Sequence, residues 1–299
     1  MQNISFFIPA YNCASTIEEA VNSIINGNFN TGDELIITND CSTDDTAIIL
    51  EQIKSKNPHI KVITHQYNKG GGAARNTAIE NSKHNLLFCL DSDNVLAPNS
   101  VEKLKEYLID NKADVVAFQH LQYFSKSTAK TDNTWTITEG IFSKQDLFSK
   151  PFSPGAGGNY LFTKQSWLKA GGYPEFAGAL DTWGFGLRQL MSGAKMMVLK
   201  DSFYHHRLIP DSYYLRDAWS RRKSVSLRAL QLIIPYLDYI ADKDVAYIFS
   251  KNGRYLWLEN IEKRPLTITD EPKKNSVWTN HELPAKGWKS FLKKLLKLK

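Results

Sequence analysis

Two carboxylates spaced by one residue, Asp91-Ser92-Asp93, give the clearest chemical signal in the sequence. They follow the apolar run Leu86–Leu90, which predicts a buried strand that ends at the acid pair. Residues two apart in such a turn can aim both carboxylates into one small volume, and oxygen ligands suit Mg²⁺ or Mn²⁺. An isolated Asp-x-Asp is more often a turn that closes a strand. The apolar strand directly before it favours the metal and phosphate interpretation.

Two other predicted strands also end in residues that could bind a ligand. Asp40 follows the run Glu34–Thr38, and Tyr11 follows Ile4–Ile8. A carboxylate placed there can accept the N3–H of a uracil ring, and a tyrosine can stack on the base. The alternative is that Asp40 serves the turn at Ser42 while Tyr11 packs locally.

The elements that must position these residues alternate strand and helix over the first 120 residues. Strands are predicted at Ile4–Ile8, Glu34–Thr38, Lys61–Thr64, Asn85–Leu90 and Asp114–Gln119. Helices are predicted after the capping residues Ser15, Ser42 and Asn99, and after Gly70-Gly71-Gly72. This alternation predicts an α/β fold with a mostly parallel, Rossmann-like sheet flanked by helices, in which ligands bind beyond the carboxyl ends of the strands.

Later elements are predicted from shorter patterns. Strands are expected at Trp135–Thr138, Tyr160–Thr163 and Met196–Leu199, and helices at Leu180–Ser192 and Ser212–Tyr239, with a break at Pro235.

Four segments, taken in order, strongly resemble glycosyltransferase family 2. They are Phe7–Asn12, Ile36–Thr46, Asn68–Asn76 and Leu90–Asp93. The resemblance covers roughly residues 3–206. It implies a GT-A fold, a nucleotide-sugar donor and an inverting reaction.

The resemblance also implies roles for individual residues. Asp40 would recognise the base, Asp91 and Asp93 would bracket the nucleotide and metal, and Arg75 would lie near the donor. The donor site as a whole then comprises Pro9, Ala10, Tyr11, Asp40, Arg75, Asp91, Ser92 and Asp93. One departure is Asn39, where the family often has an aspartate.

A general base is expected on a later helix. The family's acidic pair aligns with Leu180-Asp181, so Asp181 is the predicted base and Leu180 replaces the first acid. The residues alone allow a simpler role, because an aspartate at a helix N-terminus is a favourable cap.

Tyr204–Arg207 resembles a later motif of the family, in which His205 or His206 could complete the metal shell or hold the leaving phosphate. Histidine pairs at strand ends are also often structural, and strand phase leaves the choice between the two open.

Composition and charge narrow the class of protein. The chain is 42% hydrophobic and 23% charged, which is ordinary for a globular protein. Of the net charge of +6, five units fall within residues 281–299, which hold six lysines and one acid. The rest is nearly neutral, so a nucleic-acid partner is not expected. Cys13, Cys41 and Cys89 suggest neither disulfides nor a zinc site.

The last fifteen residues, 285–299, predict a basic amphipathic helix with Trp288 on its apolar side. Such a helix suits an anionic membrane surface, and the alternative is that it packs on the protein. No apolar run is long enough to span a membrane, and no basic segment precedes the first strand as in a signal peptide. A cytoplasmic protein, peripheral at the inner face of the membrane, is expected.

The expected organisation is a catalytic domain at 1–206, with a nucleotide-binding half at 1–120 and an acceptor half at 121–206. A helical extension at 207–265, a linker at 266–284 and the terminal helix follow.

The predicted function is transfer of a sugar from a nucleotide diphosphate sugar, favoured as UDP-sugar, to an acceptor hydroxyl, with Mn²⁺ or Mg²⁺. The setting would be surface polysaccharide or glycolipid assembly on a saccharide or lipid-linked acceptor. Two alternatives remain. One is a nucleotide-sugar-binding protein without turnover, suggested by Leu180. The other is a sugar-nucleotide pyrophosphorylase, although Pro9–Asn12 stands where its glycine-rich loop would be. The P-loop and G-x-G-x-x-G patterns are absent.

Overall fold

The computed structural model describes residues 2–209 and 222–273, and the first part of it alternates strand and helix as predicted. The strands are β1 (Ile4–Ala10), β2 (Glu34–Asn39), β3 (Ile60–Thr64) and β4 (Leu86–Cys89). The helices are α1 (Ile17–Ile25), α2 (Thr46–Lys56), α3 (Gly71–Glu80) and α4 (Ser100–Asp110). These strands pair in parallel in the order β3-β2-β1-β4. Strands β1, β2 and β4 are buried almost throughout, which explains why they read as continuous apolar runs.

The second part extends the same sheet. Its strands are β5 (Val115–Phe124), β6 (Asn133–Thr136), β7 (Gly140–Ile141), β8 (Tyr160–Thr163) and β9 (Met196–Arg207). Its helices are α5 (Lys144–Leu147), α6 (Pro154–Gly157), α7 (Lys164–Ala170) and α8 (Asp181–Met191). The full order is β3-β2-β1-β4-β8-β5-β9-β7, with β6 on β5. The α/β class is confirmed, and the sheet is mixed.

Strand β8 determines which strand ends meet. It runs antiparallel both to β4 and to β5, so β4 and β5 run in the same direction. The carboxyl ends of β1, β2, β4, β5 and β9 therefore lie at one edge of the sheet. The candidate active site lies at that edge.

Three strands differ most from their predicted bounds. Strand β5 continues to Phe124 instead of ending at Gln119, β6 begins two residues before the predicted Trp135, and β9 continues to Arg207 instead of ending at Leu199. The polar stretch Lys200-Asp201-Ser202 interrupts the apolar pattern of β9, and the strand passes it through an irregularity at which Asp201 has φ +54°.

The predicted helix caps at Ser15 and Ser42 are wrong, because Thr16 and Asp45 occupy the N-cap positions of α1 and α2. Asn99 does occupy the N-cap position of α4, but its side chain accepts no capping hydrogen bond, and neither do those of Thr16 and Asp45. Instead, the Asp44 carboxylate accepts from the backbone N–H of Thr46 at 3.0 Å, and Asn28 Oδ1 accepts from that of Val101 at 3.0 Å. A distant side chain such as Asn28 can satisfy a helix end, and a local capping pattern does not reveal this.

Helices α9 (Arg222–Ile233), α10 (Asp242–Ile248) and α11 (Gly253–Leu256) follow β9 in the described part of the chain. Helix α9 ends before Pro235, and a 3-10 turn over Ile234–Tyr239 takes its place, as the predicted break requires. Trp257 is 1% exposed, donates to the Ser226 carbonyl at 3.2 Å and lies 6.4 Å from the ring of Trp183 in α8. The helical segment is therefore packed on the sheet domain.

The first residue of the predicted linker 266–284 contacts the sheet domain. Leu266 is buried, its N–H donates to the Phe148 carbonyl at 2.9 Å, and Gln145 Nε2 donates to the Leu266 carbonyl at 2.8 Å. Polar turn residues around Leu266 and Ile268 concealed these contacts in the sequence. The predicted helix at 285–299 lies outside the described residues, as does part of the predicted Ser212–Tyr239 helix.

Candidate active site

A buried arginine joins two of the predicted site carboxylates. Arg75, on α3, donates from Nη2 to Asp91 Oδ1 at 2.6 Å and from Nη1 to Asp181 Oδ2 at 2.7 Å. Charge-assisted hydrogen bonds at such distances hold a guanidinium in one orientation. The structure thus brings together Arg75, Asp91 and Asp181, which we call the ion triad.

Glycines make the close approach in the ion triad possible. A Cβ on Gly71 would lie 2.8 Å from both Arg75 Nη1 and Asp181 Oδ2. Gly158 has φ +76°, and a Cβ there would lie 3.2 Å from Asp91 Oδ2. The glycine run at the start of α3 therefore serves to bring a helix backbone against an ion pair.

Asn159, just before β8, fixes the first carboxylate of the acid pair. Its Oδ1 accepts from the Asp91 backbone N–H at 2.7 Å, and its Nδ2 donates to Asp91 Oδ2 at 3.2 Å. Both oxygens of Asp91 are consequently engaged by protein donors. The sequence analysis missed Asn159, although it directly follows the conspicuous run Gly155–Gly158.

The second carboxylate of the acid pair, Asp93, has few hydrogen-bond donors. Within the described residues its carboxylate accepts only from its own backbone N–H. Removal from water raises the pKa of Asp93 to about 7, and the Asp91 carboxylate adds to this shift. Arg207 approaches the Asp93 carbonyl instead, with Nε at 3.0 Å, and its guanidinium is paired with Glu19.

The charges of the site leave an excess of carboxylate. Asp91, Asp93 and Asp181 face one buried guanidinium, and the second arginine nearby is already paired. An unsatisfied carboxylate beside another is an environment that a hard divalent cation fits. No cluster of three or more His, Cys, Asp or Glu side chains able to hold a metal occurs among the described residues. The protein groups present suit an ion that draws further ligands from phosphate and water.

The two histidines of β9 point to opposite faces of the sheet. His206 Nδ1 lies 3.4 Å from Asn94 Nδ2 and 3.3 Å from the Tyr204 hydroxyl, on the side of the acid pair. Burial lowers the pKa of His206 to about 4. His205 packs against Phe124 and Phe203, and its Nδ1 is buried without a partner in the described residues. His206 is therefore the histidine on the site's side.

Asp181 is the first residue of α8 and is 7% exposed. Besides Arg75, backbone N–H groups donate to it in the described part of the chain, that of Thr182 at 2.7 Å on Oδ1 and its own. Burial raises the pKa of Asp181, Arg75 opposes that rise, and Asp91 adds to it. A carboxylate whose pKa is raised accepts a proton more readily than an exposed one.

Asp40 forms the second cluster at the same sheet edge. Its Oδ1 accepts from the Lys69 N–H at 2.8 Å and pairs with His65 Nδ1 at 2.7 Å, while Oδ2 accepts from the Gly70 N–H at 2.7 Å. Asp40 thereby holds the loop that leads into α3. Oδ1 therefore has two hydrogen-bond partners and Oδ2 has one, so a second donor could bind at Oδ2.

His65 is a functional residue that the sequence analysis missed. It is 7% exposed, and its Nε2 lies 3.0 Å from the Thr77 hydroxyl on α3. The ring thus links Asp40 to that helix. A lone histidine after a strand carries no motif, so nothing in the sequence identified it.

The remaining predicted donor residues lie at the ends of β1 and β4. Pro9 and Ala10 pair with Thr38 and Asn39 of β2. Tyr11 is 46% exposed, as a ring that stacks on a ligand must be. Ser92 lies beside the buried thiol of Cys13.

The fold and the site agree with a transferase domain of the α/β class, and the chain matches Glycosyl transferase family 2 over residues 5–172. This match covers more than half of the chain, so the chain belongs to that family. The resemblance found in the sequence is confirmed.

Curated relatives are similar over different shares of their length. Hyaluronan synthase of Pasteurella multocida is 28% identical over 266 residues, which cover 84% of this chain and 26% of that protein. WfaP of Escherichia coli, a UDP-Glc:alpha-D-GlcNAc-diphosphoundecaprenol beta-1,3-glucosyltransferase, is 32% identical over 143 residues, 48% of this chain and 52% of that protein. The chain spans only 14% of the chondroitin synthase of Escherichia coli.

Solved structures establish the fold. TarS 1-349 of S. aureus in complex with UDP-GlcNAc superposes with a TM-score of 0.59 at 18% identity, covering 87% of this chain and 79% of that one. The mannosyltransferase PcManGT of Pyrobaculum calidifontis, in complex with GDP-Man and Mn²⁺, gives 0.57 at 15% identity, covering 87% and 69%. The GT-A type of α/β fold is confirmed. Among the described residues, no helix is long and apolar enough to cross a lipid bilayer.

Proposed function

We propose that this chain is a metal-dependent, inverting glycosyltransferase that moves a sugar from a UDP-sugar to an acceptor hydroxyl. The observation that carries the proposal is the ion triad beside an unsatisfied Asp93, at the sheet edge that also holds Asp40 and Tyr11. A nucleotide diphosphate is itself an anion, so it would be repelled by this excess of carboxylate unless a divalent cation came with it.

The preference for uracil rests on Asp40. Its remaining acceptor capacity on Oδ2 suits one N–H donor, such as N3–H of uracil, and the exposed Tyr11 ring is available for stacking. A carboxylate also accepts from guanine, and PcManGT binds GDP-Man. TarS binds UDP-GlcNAc. A comparison of the two nucleotides is therefore part of the test.

Each carboxylate has a separate part in the proposed reaction. Asp93 would bind the divalent cation, and Asp91, held by Arg75 and Asn159, would orient that turn. When bound, the cation neutralises negative charge on the departing diphosphate. His206 lies near enough to the acid pair to contact the same phosphates.

Asp181 would act as the general base. It accepts the proton of the acceptor hydroxyl as that oxygen attacks the anomeric carbon, and the bond to the diphosphate breaks. Arg75 orients the Asp181 carboxylate through the 2.7 Å hydrogen bond to Oδ2, and Oδ1, which accepts from the neutral Thr182 N–H, is the atom that would receive the proton.

Assembly of a surface polysaccharide or glycolipid is the proposed setting. WfaP acts on a diphosphoundecaprenol-linked sugar, and other relatives are named for polysaccharide synthesis. We further propose that residues 285–299 bring the protein to an anionic membrane surface, from the six lysines and apolar residues of that region of the sequence.

Membership of family 2 favours a transferase over the pyrophosphorylase considered from the sequence. A binding protein without turnover remains the rival, because Asp181 is held by Arg75 and Leu180 supplies no second acid.

The test is a thermal-shift screen of UDP-sugars and GDP-mannose, with Mn²⁺ or with chelator, followed by measurement of nucleotide release. We expect stabilisation by a UDP-sugar that needs Mn²⁺, and slow release of UDP without acceptor. Stabilisation without any release, even with saccharide acceptors, would show a binding protein. Stabilisation by GDP-mannose alone would contradict the assignment of uracil.

A further inference from the structure

Two stacked aromatic rings lie at the sheet edge outside the donor site. The ring centroids of Trp135, on β6, and Phe152, just before α6, are 4.6 Å apart with an interplanar angle of 23°. Both side chains are only half-buried, whereas the largest aromatic side chains of the core are fully buried. Within the described residues β6 pairs with β5 alone. Both rings also pack against the hydrophobic core, and the part of each that stays accessible on this edge strand is a surface on which a ligand can stack.

Tyr123 connects this pair to the acid turn. Its ring lies 5.1 Å from that of Trp135 and 4.6 Å from that of His206. His206 in turn contacts Asn94, the residue after Asp93. The rings of Phe152, Trp135, Tyr123 and His206 therefore form a continuous series, called here the aromatic row, that ends at the acid turn.

The aromatic row lies on the face of the sheet that holds the ion triad. Trp135 and Tyr204 both pair with Leu121, so they share its face of the sheet. The Tyr204 hydroxyl donates to the Gly157 carbonyl at 2.8 Å, in the loop whose Asn159 binds Asp91.

The order of strands separates the aromatic row from the donor residues. Tyr11 and Asp40 follow β1 and β2, the acid pair follows β4, and the row belongs to β5, β6 and β9 on the far side of β8. In a direct displacement the attacking hydroxyl approaches the anomeric carbon opposite to the diphosphate. The row therefore lies away from the donor residues, at strands where an acceptor could be held.

The chemistry of the pair suits a sugar ring. Pyranose rings present a face of C–H groups with slight positive charge, and such groups favour the negative face of an aromatic ring. The indole N–H of Trp135 makes no hydrogen bond to a described residue and is open to solvent. By contrast, Trp167 and Trp257 donate to Asn76 Oδ1 and to the Ser226 carbonyl.

A polar side chain lies beside the stacked pair. Asn133 of β6 is exposed and, two residues before Trp135, lies on the same face of the sheet, where its amide can form hydrogen bonds with sugar hydroxyls. Rings that bury the apolar face of a sugar, with a polar group at their margin, suit a saccharide better than a purely apolar partner.

We infer that Trp135 and Phe152 form an acceptor subsite that binds a pyranose ring of a saccharide acceptor. This inference rests on the proposed transferase function and adds the place at which its acceptor is held. It assigns acceptor binding to β6 and the segment before α6.

The kinetic test compares Trp135→Ala and Phe152→Ala with wild-type protein. Transfer from the donor found above is measured onto short oligosaccharides of glucose, galactose, N-acetylglucosamine and glucuronic acid. Loss of a stacking ring is expected to raise the half-saturating acceptor concentration roughly tenfold. Acceptor-independent release of UDP and the KM for donor are expected to stay unchanged. Trp135→Phe, which keeps an aromatic ring, is expected to change acceptor saturation by only about twofold.

Phe249→Ala is the matched control, because Phe249 is 47% exposed and follows α10, away from the sheet edge. It is expected to behave as wild type in both assays. Unchanged acceptor saturation in Trp135→Ala and in Phe152→Ala would overturn the inference. Absence of UDP release and transfer in wild-type protein would instead count against the proposed function.

A binding measurement tests the subsite without turnover. The full chain is labelled with 5-fluorotryptophan, the ¹⁹F signal of Trp135 is assigned from its loss in Trp135→Phe, and the same oligosaccharides are titrated. We expect the Trp135 signal to shift with at least one oligosaccharide while that of the buried Trp257 stays in place. A Trp135 signal that no oligosaccharide moves would refute the subsite, whether or not Trp135→Ala folds.

Discussion

The three carboxylates of the site differ in the hydrogen-bond donors that they have. Asp91 is bound by Arg75 and Asn159, Asp181 is bound by Arg75, and Asp93 has no donor beyond its own backbone in the described part of the chain. A fully bonded carboxylate orients its neighbours, whereas an unsatisfied one attracts a cation. Three neighbouring aspartates can therefore have different roles, because each has different hydrogen-bond partners.

Asp93→Ala is expected to abolish the Mn²⁺-dependent part of UDP-sugar binding and to leave the fold intact, because no protein partner in the described residues depends on this carboxylate. Isothermal titration calorimetry with and without Mn²⁺ measures the effect. Asp110→Ala, which removes an exposed acid at the end of α4, is the control. If Asp93→Ala keeps the Mn²⁺ dependence of the wild type, the acid pair is only a turn.

Asp181→Asn is expected to lower turnover by roughly 10²–10⁴-fold while donor affinity stays near that of the wild type. An asparagine can still accept from Arg75 but is no base. Steady-state rates and donor titrations on the same preparation separate the two effects. Equal turnover would leave Asp181 as a structural partner of Arg75.

His65→Leu is expected to lower the free energy of unfolding by about 2 kcal/mol, because it removes the buried donor to Asp40 and the contact with Thr77. Donor binding should weaken with it, since Asp40 also holds the loop at Lys69 and Gly70. Chemical denaturation and donor titration measure both. His65→Gln, which can still donate, should lose less on each scale, and an equal loss in both variants would contradict a hydrogen-bonding role.

At the scale of elements, helix α3 is the part that connects the two clusters. Its N-terminus is held by Asp40, its side chain Arg75 forms the ion triad, and Thr77 contacts His65. A helix with three such tasks has little freedom to shift. A small increase in side-chain volume in the first turn of α3 should therefore lower the rate of turnover.

Gly71→Ala tests this dependence. The added Cβ would lie 2.8 Å from Arg75 Nη1 and from Asp181 Oδ2, so the ion pair must separate or the helix must move. We expect turnover to fall at least tenfold and the melting temperature to drop by several degrees. Glu80→Ala, at an exposed position of the same helix, should change neither. Wild-type turnover in Gly71→Ala would show that the triad does not need this close approach.

Strands β1 to β4 could be predicted because each is an apolar run bounded by polar turn residues. Beyond β5, the sequence identified β8 but shortened β9 at the polar stretch Lys200–Ser202. The prediction of helix caps failed because side chains distant in sequence, such as Asn28, can accept from the N–H groups at a helix end.

The sequence predicted those site residues that belong to a motif, and it did not predict those that stand outside any motif. Arg75, Asp91 and Asp181 belong to patterns of the family, and the structure places them in contact. His65 and Asn159 have no pattern, since their role exists only once strands distant in sequence have paired. The face on which His206 lies likewise required the pairing of β9 with β5.

At the scale of the molecule, catalysis and membrane attachment are expected to be separable. A chain that ends at Pro284 should keep activity on soluble substrates, because every site residue precedes residue 207. Full-length protein should co-sediment with anionic vesicles and lose this binding as salt rises, since each lysine near the surface contributes about 1 kcal/mol that salt screens. Vesicle binding by the shortened chain equal to that of the full chain would show that 285–299 is not the anchor.

The position of β8 has a consequence for how the chain acquires its activity. The strand enters between β4 and β5 after β5, β6 and β7 have been synthesised, and the Arg75–Asp181 bond joins residues 106 positions apart. Contacts so distant form late, because closing a long loop costs entropy before any contact offsets it. The contacts among the parallel strands β1 to β4 join residues fewer positions apart, such as Ile4 and Leu86, and are expected to form before that bond. A nascent chain is therefore expected to hold Asp91 and Arg75 without their catalytic partner until α8 docks, so completion of folding and onset of catalysis coincide.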